Sequence, residues 1–317
     1  MTCISASENV NQTDSLGLSI EDNIETAENN QKIIRQTPDE VELKENKNQT
    51  MNSNILGISN NEKSLGATDN NEILCAKDNG TFTALQDKIN AADGTLVLEN
   101  DYANIDNFDK EGILISKSLT IDGNGYTIDA LSKGRIFQVT ASNVILKNIN
   151  FVNGNTGAYG GAVYWSGDNG VLSGSNFTGN NAENGGAVSW IGDNGNLTGS
   201  NFTGNNANGR YGGGAVYWQG SNGNLTGSNF NGNNASRNGG GAVFWQGSNG
   251  VLSGSNFNGN NAGAGGAVYW NSADGVLSGS NFNGNNAELG GAVYWQGSNG
   301  NLTGSNFNGN NASRNGG

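Results

Sequence analysis

The chain has 317 residues, a net charge of −13, no histidine, one proline, two cysteines and 52 glycines. Without an imidazole, a Ser-His-Asp triad, a His-ligated metal and a histidine acid/base are all excluded, and the acidic balance offers no basic groove for nucleic acid and no polybasic membrane patch. The charge is uneven: residues 1–77 carry 13 acidic and 6 basic side chains, 78–150 carry 10 and 6, and 151–317 only 5 and 3.

Residues 1–77 are rich in Asn, Gln, Glu and Ser and contain no aromatic residue. Such a stretch cannot bury enough apolar surface to offset its ordering entropy, so it reads as a disordered leader or stalk. The opening Met1 to Ser7 lacks the apolar core of a secretory signal. No run approaches the ~18 apolar residues of a membrane span. Cys3 and Cys75 lie too far apart for a metal or redox motif and read as two unconnected thiols. No cofactor and no metal-ligand set is expected.

From Asp78 the texture changes. Phe82, Leu85 and Ile89 are spaced as on one helical face and Gly94 ends the pattern, which predicts a short amphipathic helix able to cover the open edge of a first coil. Strand-like runs follow at 95–98, 112–116, 119–121, 127–129, 135–139 and 143–151, punctuated by Asp122-Gly-Asn-Gly125. Residues 78–150 therefore read as an N-terminal cap with the opening coils of the array behind it.

Residues 151–317 repeat. Gly213 to Gly240 returns letter for letter at Gly290 to Gly317, and looser copies place Phe at 151, 177, 202, 230, 257, 282 and 307. The unit of about 25 residues is too short and too glycine-rich for a helical pair, and with two short strands between D/N-G and N-N turns it reads as one coil of a β-helix. Variation among the copies orients the side chains. Val and Asn exchange at 171, 196, 224, 251, 276 and 301, beside an unvarying Leu, so Leu faces in and its neighbour out. By the same logic Val163 and Trp165, with their equivalents, face in, while the Tyr164, Ser189, Tyr217, Phe244, Tyr269, Tyr294 column faces out. The paired Asn180-Asn181 and its copies suit ladders of side-chain amides running along the stack. The chain stops at Gly317 where the identical copy runs on to Trp245, so a longer, interrupted array is expected.

Leu119 to Ile128, Arg135-Ile-Phe137, Leu146 to Gly154 and the Gly-Gly-Ala-Val boxes together resemble the Asn/Thr-rich adhesin-like surface proteins of methanogenic archaea. The alternating Gly-Gly-Ala-Val and Phe-x-x-Asn boxes are similar to the repeats of chlamydial polymorphic outer-membrane proteins. The resemblance covers about residues 78–317 and implies an all-β, right-handed parallel β-helix displayed at the cell surface or outside the cell. It also implies adhesion to the glycans or proteins of a host or neighbouring cell. Phe151 departs from the pattern, with Val-Asn-Gly after it and the Asn one place late.

Length changes fall between Asn-Asn-Ala and Gly-Gly-Ala, as Glu183-Asn184, Asn208 to Gly212 and Ser236 to Gly239. That edge holds every arginine of the array, so Arg210, Tyr211 and Arg237 are candidate ligand contacts, and a solvated loop that merely tolerates change explains the same pattern. An outward strip of Tyr164, Tyr217, Phe244, Tyr269 and Tyr294 is the second candidate, able to stack on sugar rings or simply to cover a sheet. Ten Asn-x-Ser/Thr sequons permit glycan attachment outside a cell. Three classes of function stay open: an adhesin, a passive stalk or coat, and a polysaccharide lyase or hydrolase of the pectin-lyase-like fold. For the last, Asp122, Asp129, Lys133 and Arg135 are the available groups, although both aspartates equally suit turns.

Overall fold

The structure, a computed structural model, describes residues 80–236 and 238–315. The expected leader at 1–77, with both cysteines, lies outside the described residues. The chain divides into Met1–Asp78 and Asn79–Gly317.

The second unit opens with helix α1, Phe82–Ala91, whose buried face is Phe82, Leu85 and Ile89. Thr81 caps it, its hydroxyl accepting the Ala84 N–H at 3.1 Å. Gln86 on the same helix imitates a missing strand. Its amide donates to Leu114 O at 3.0 Å and its oxygen accepts the Leu114 N–H at 2.7 Å. Ile113–Ile115 is the first strand of its sheet, so the helix closes the edge that an uncapped coil would leave unpaired.

Behind the cap the chain winds as a parallel β-solenoid. Two sheets of nine strands and one of eight run its length. A leucine sheet extends from Thr95–Val97 to Asn301–Thr303, a phenylalanine sheet from Tyr102–Ala103 to Asn306–Asn308, and a tryptophan sheet from Ile113–Ile115 to Val293–Trp295. Each coil thus contributes three principal strands, not the two expected. The run from Leu172 to Phe177 breaks because Gly174 takes a left-handed turn (φ +57°). The run 143–151 divides in the same way at Asn148 (φ 56°), into Ile145–Lys147 and Asn150–Val152.

Like pairs with like across coils: Leu172 with Leu197, Phe177 with Phe202, Trp190 with Trp218. The six indoles form one column, with ring centroids 4.4–4.9 Å apart and planes within 2–6° of parallel. The phenyl rings from Phe151 to Phe307 form another at 4.6–4.8 Å. Leu, Val, Phe and Trp face the core as expected, buried throughout except near the last coil. The glycine after each D/N turn makes the indole fit: a Cβ on Gly195 would lie 2.3 Å from Trp190 Nε1.

The first asparagine of each Asn-Asn pair is the polar centre of the stack. Asn205 is fully buried. Its Nδ2 donates to Phe177 O (3.1 Å) and Asn233 Oδ1 (3.0 Å), while its Oδ1 accepts the backbone N–H (3.0 Å) and Nδ2–H (2.9 Å) of Asn180. All four hydrogen-bonding capacities of the amide are used. The same bonds recur at Asn233 and Asn260. At the other end Gly154 donates its N–H to Asn180 Oδ1 at 2.8 Å and terminates the ladder. This accounts for the departure after Phe151: Asn153 (φ 55°) fills the turn slot that Gly179 (φ 64°) fills in the next coil, and Gly154 stands where that coil has Asn180. The second asparagines make an outer ladder, as in Asn206 Nδ2 to Asn181 Oδ1 at 2.8 Å.

Asn205→Leu removes the partner of the Asn180 N–H and of one Asn180 Nδ2–H and takes one donor from Phe177 O, all of them buried, and is expected to destabilise the array by ~3–5 kcal/mol. Asn206→Leu, on the outer ladder, where water can replace the lost bonds, is expected to cost about 1 kcal/mol or less. Chemical denaturation of the two variants side by side checks the difference.

Candidate functional site

The loops between the Asn-Asn-Ala and Gly-Gly-Ala boxes stack on one another along one edge. Gly160 N–H donates to Asn184 O at 2.9 Å and Gly209 N–H to Glu183 O at 2.7 Å, so each loop rests on the one before or after it. In the first loop, Arg135 fixes the approach. Its guanidinium donates to Tyr159 O, Gly160 O, Glu111 O and Glu111 Oε2, the last at 2.8 Å, and it lies 5.3 Å from the Tyr164 ring centroid. Arg135 is buried and wholly occupied in this clamp.

The outward column departs from expectation. Its side chains do project from the tryptophan sheet on the face opposite the core, but the middle of the column is not open to water. Tyr217 is 6 % exposed, Phe244 0 % and Tyr269 7 %, and with Ala264 they form a second apolar cluster under the loops. The covering comes from residues the column pattern could not reveal. Tyr159 reaches across the small Ser189, its ring 6.5 Å from Tyr164 and 5.9 Å from Tyr217. Tyr211 leans on Phe244 at 6.1 Å. Tyr217 OH donates to Gln246 Oε1 at 2.7 Å, and Tyr269 OH bonds Gln296. Tyr164 and Tyr294, at the two ends of the column, stay half-buried.

What reaches solvent is therefore the cover. Tyr159 is 41 % and Tyr211 42 % exposed, and Arg210 stacks 5.1 Å over the Tyr211 ring. Tyr159 was absent from the sequence-derived candidates, although it stands in the variable stretch of the first coil. Arg237 lies outside the described residues.

The groups weighed for lyase chemistry are separately engaged. Asp129 Oδ1 accepts the Leu131 N–H at 2.7 Å and Asn153 Nδ2–H at 3.0 Å. Asp122 Oδ1 accepts the Asn124 N–H and Asn148 Nδ2–H, and Oδ2 pairs with Lys147 at 3.1 Å. Burial opposes the charge on Asp122, but these hydrogen bonds and the lysine outweigh it and hold the carboxyl below its usual range. Lys133 donates to Asn107. Among the described residues no group of three or more His, Cys, Asp or Glu gathers as for a metal, and no helix is long and apolar enough to cross a membrane.

No family model, curated protein or solved structure matches this chain.

Burial, followed by the neighbouring Tyr159, pushes the Tyr217 phenol from its ordinary value of 10.0 up to about 12, against a smaller opposing bond from Gln219. The folded state thus favours the neutral phenol. The stability this contributes is complete below the unfolded pKa near 10 and is lost as the pH rises through about 12. A titration of phenolate absorbance in the folded protein should show an ionisation near pH 12 that Tyr217→Phe removes.

Proposed function

We propose that this chain is an adhesin-like protein of the cell surface, acting outside the cell, in which the parallel β-helix is a rigid spacer. The variable loop edge would attach it to carbohydrate or protein on another cell. The observation that carries the reading is the placement of exposed aromatic surface. Outside the last coil, the exposed aromatic rings among the described residues are Tyr159 and Tyr211, and both sit on the edge where the repeats differ in length. Aromatic faces held rigidly at a surface stack on sugar rings at little entropic cost. The resemblance of residues 78–317 to archaeal adhesin-like proteins and to chlamydial surface repeats points the same way, as do the Asn-x-Ser/Thr sequons.

A passive stalk or coat is the second reading. It is favoured by the leucine and phenylalanine sheets, whose outward residues beyond residue 150 are Val, Asn, Ser and Thr, with the asparagines bonded to one another along the stack, as from Asn176 to Asn150 and from Asn201 to Asn176. Lyase chemistry is the weakest reading, because Asp122, Asp129, Lys133 and Arg135 each already hold a turn, a ladder or a loop.

The test is a glycan array probed with the full chain and with a Tyr159→Ala, Tyr211→Ala double variant whose far-ultraviolet circular dichroism matches the parent. The parent should bind a restricted set of glycans and the variant should lose about tenfold or more in affinity. Uniform absence of binding by the parent would favour the stalk. Release of unsaturated ends from pectin-like polymers, abolished by Asp129→Asn, would instead establish the enzyme.

A further inference from the structure

We propose that the depression beside Arg210 receives an acidic sugar, a residue carrying a carboxylate, within the glycan held at the loop edge. The inference rests on that edge being a glycan contact and adds the class of sugar.

Three arginines fall among the described residues, and two of them are committed. Arg135 is clamped by Glu111 and by loop carbonyls. Arg314 pairs with Glu288 at 3.1 Å. Arg210 differs: among the described residues no carboxylate lies within ion-pair distance of it, and its recorded contact is the Tyr211 ring. Stacking uses the face of a guanidinium and leaves its fork of N–H donors pointing sideways, free for a planar, two-oxygen acceptor.

Arg210 borders an open depression of about 610 Å³ that Asn208, Gly209, Ser236 and Asn238 also line. Amides and a hydroxyl complement sugar hydroxyls. Asn208 still has an N–H to offer, since its recorded bonds are one donated to Asn181 Oδ1 and one accepted from Asn206. Ser236 donates to Gly209 O at 3.3 Å and keeps its oxygen as an acceptor. With the Tyr211 ring holding the guanidinium in place, these groups supply a cation and neutral hydrogen-bonding partners together, the combination that distinguishes a carboxylated sugar from a bare anion or a neutral hexose.

The loop that carries them is fixed at both ends. A Cβ on Gly209 would lie 2.4 Å from Glu183 O and one on Gly212 would lie 2.5 Å from the Ala207 Cβ, so the backbone lies flat on the coil at both points and Arg210-Tyr211 project between them. Asn208 to Gly212 occurs in one coil only.

The full chain would be titrated with oligosaccharides carrying galacturonate, glucuronate or sialate, each beside its methyl-esterified form. At least one acid should bind about tenfold or more tighter than its neutral ester, the strength of a charge-assisted, two-point hydrogen bond. Arg210→Gln should erase that preference, so that acid and ester bind with the same affinity, and Arg210→Lys should restore only part of it. Equal affinity for acid and ester, or a preference that survives Arg210→Gln, would overturn the inference and leave the loop edge standing as a neutral-glycan contact. Displacement by inorganic phosphate as effective as by the free acidic monosaccharide would overturn it in favour of a bare anion site. Absence of binding to all of these and to the wider array would overturn the edge reading and this inference together.

Discussion

The structure depends on register between coils, and the buried asparagine ladder enforces it most strictly. Hydrophobic contact is tolerant: a leucine can slide past a leucine at modest cost. A buried amide is not tolerant, because each of its four hydrogen-bonding capacities must meet a partner in the adjacent coils or go unsatisfied. From Asn205 to Asn285 the amides meet this condition coil after coil. A slip of one residue would orphan them all, so Leu, Phe and Trp are carried into alignment by a constraint that they do not impose themselves. The buried serines act alongside. Ser200 Oγ accepts the Ser175 N–H at 3.2 Å and donates to Thr198 O at 3.1 Å.

Once register is rigid around most of the coil, variation has one place to go. Beyond residue 152 only Gly and Ser separate the leucine strand of a coil from its phenylalanine strand, and an extra residue there would rotate every side chain after it to the wrong face. The stretch between the asparagine pair and the next Gly-Gly lies outside those ladders, and there the coils differ in length. Chemistry that is free to vary therefore collects on one edge, which is where the exposed tyrosines and the unpaired arginine stand. Structure and candidate function share a cause.

The edge also repairs what the repeats leave imperfect. Ser189 interrupts the outward aromatic column, and Tyr159 from the preceding loop spans the gap to Tyr217. Tyr211, brought by the longest insertion, covers Phe244. Each cover residue hides a ring of the column and shows part of its own ring to water. Binding surface and packing surface are thus opposite sides of the same side chains, so a contact made at the edge is felt in the cluster beneath it.

Much of this was legible from the residues alone. A 25-residue period with unvarying Leu, Phe and Trp determined the parallel stacking, the inward faces and the amide ladders, because a repeat compared with itself reveals which positions tolerate exchange, and the helical spacing of Phe82, Leu85 and Ile89 marked the capping helix. The same comparison located the edge. Tertiary structure alone decided three things. The coil has three principal strands because Gly174 turns left-handed inside a run that reads as continuous. The column of Tyr217, Phe244 and Tyr269 is covered, because burial there depends on a loop residue about 60 positions away in sequence at most and one or two coils away in space. And Arg135 belongs to a clamp while Arg210 stays available, a distinction between two identical side chains that composition cannot express and only the position of a carboxylate can settle.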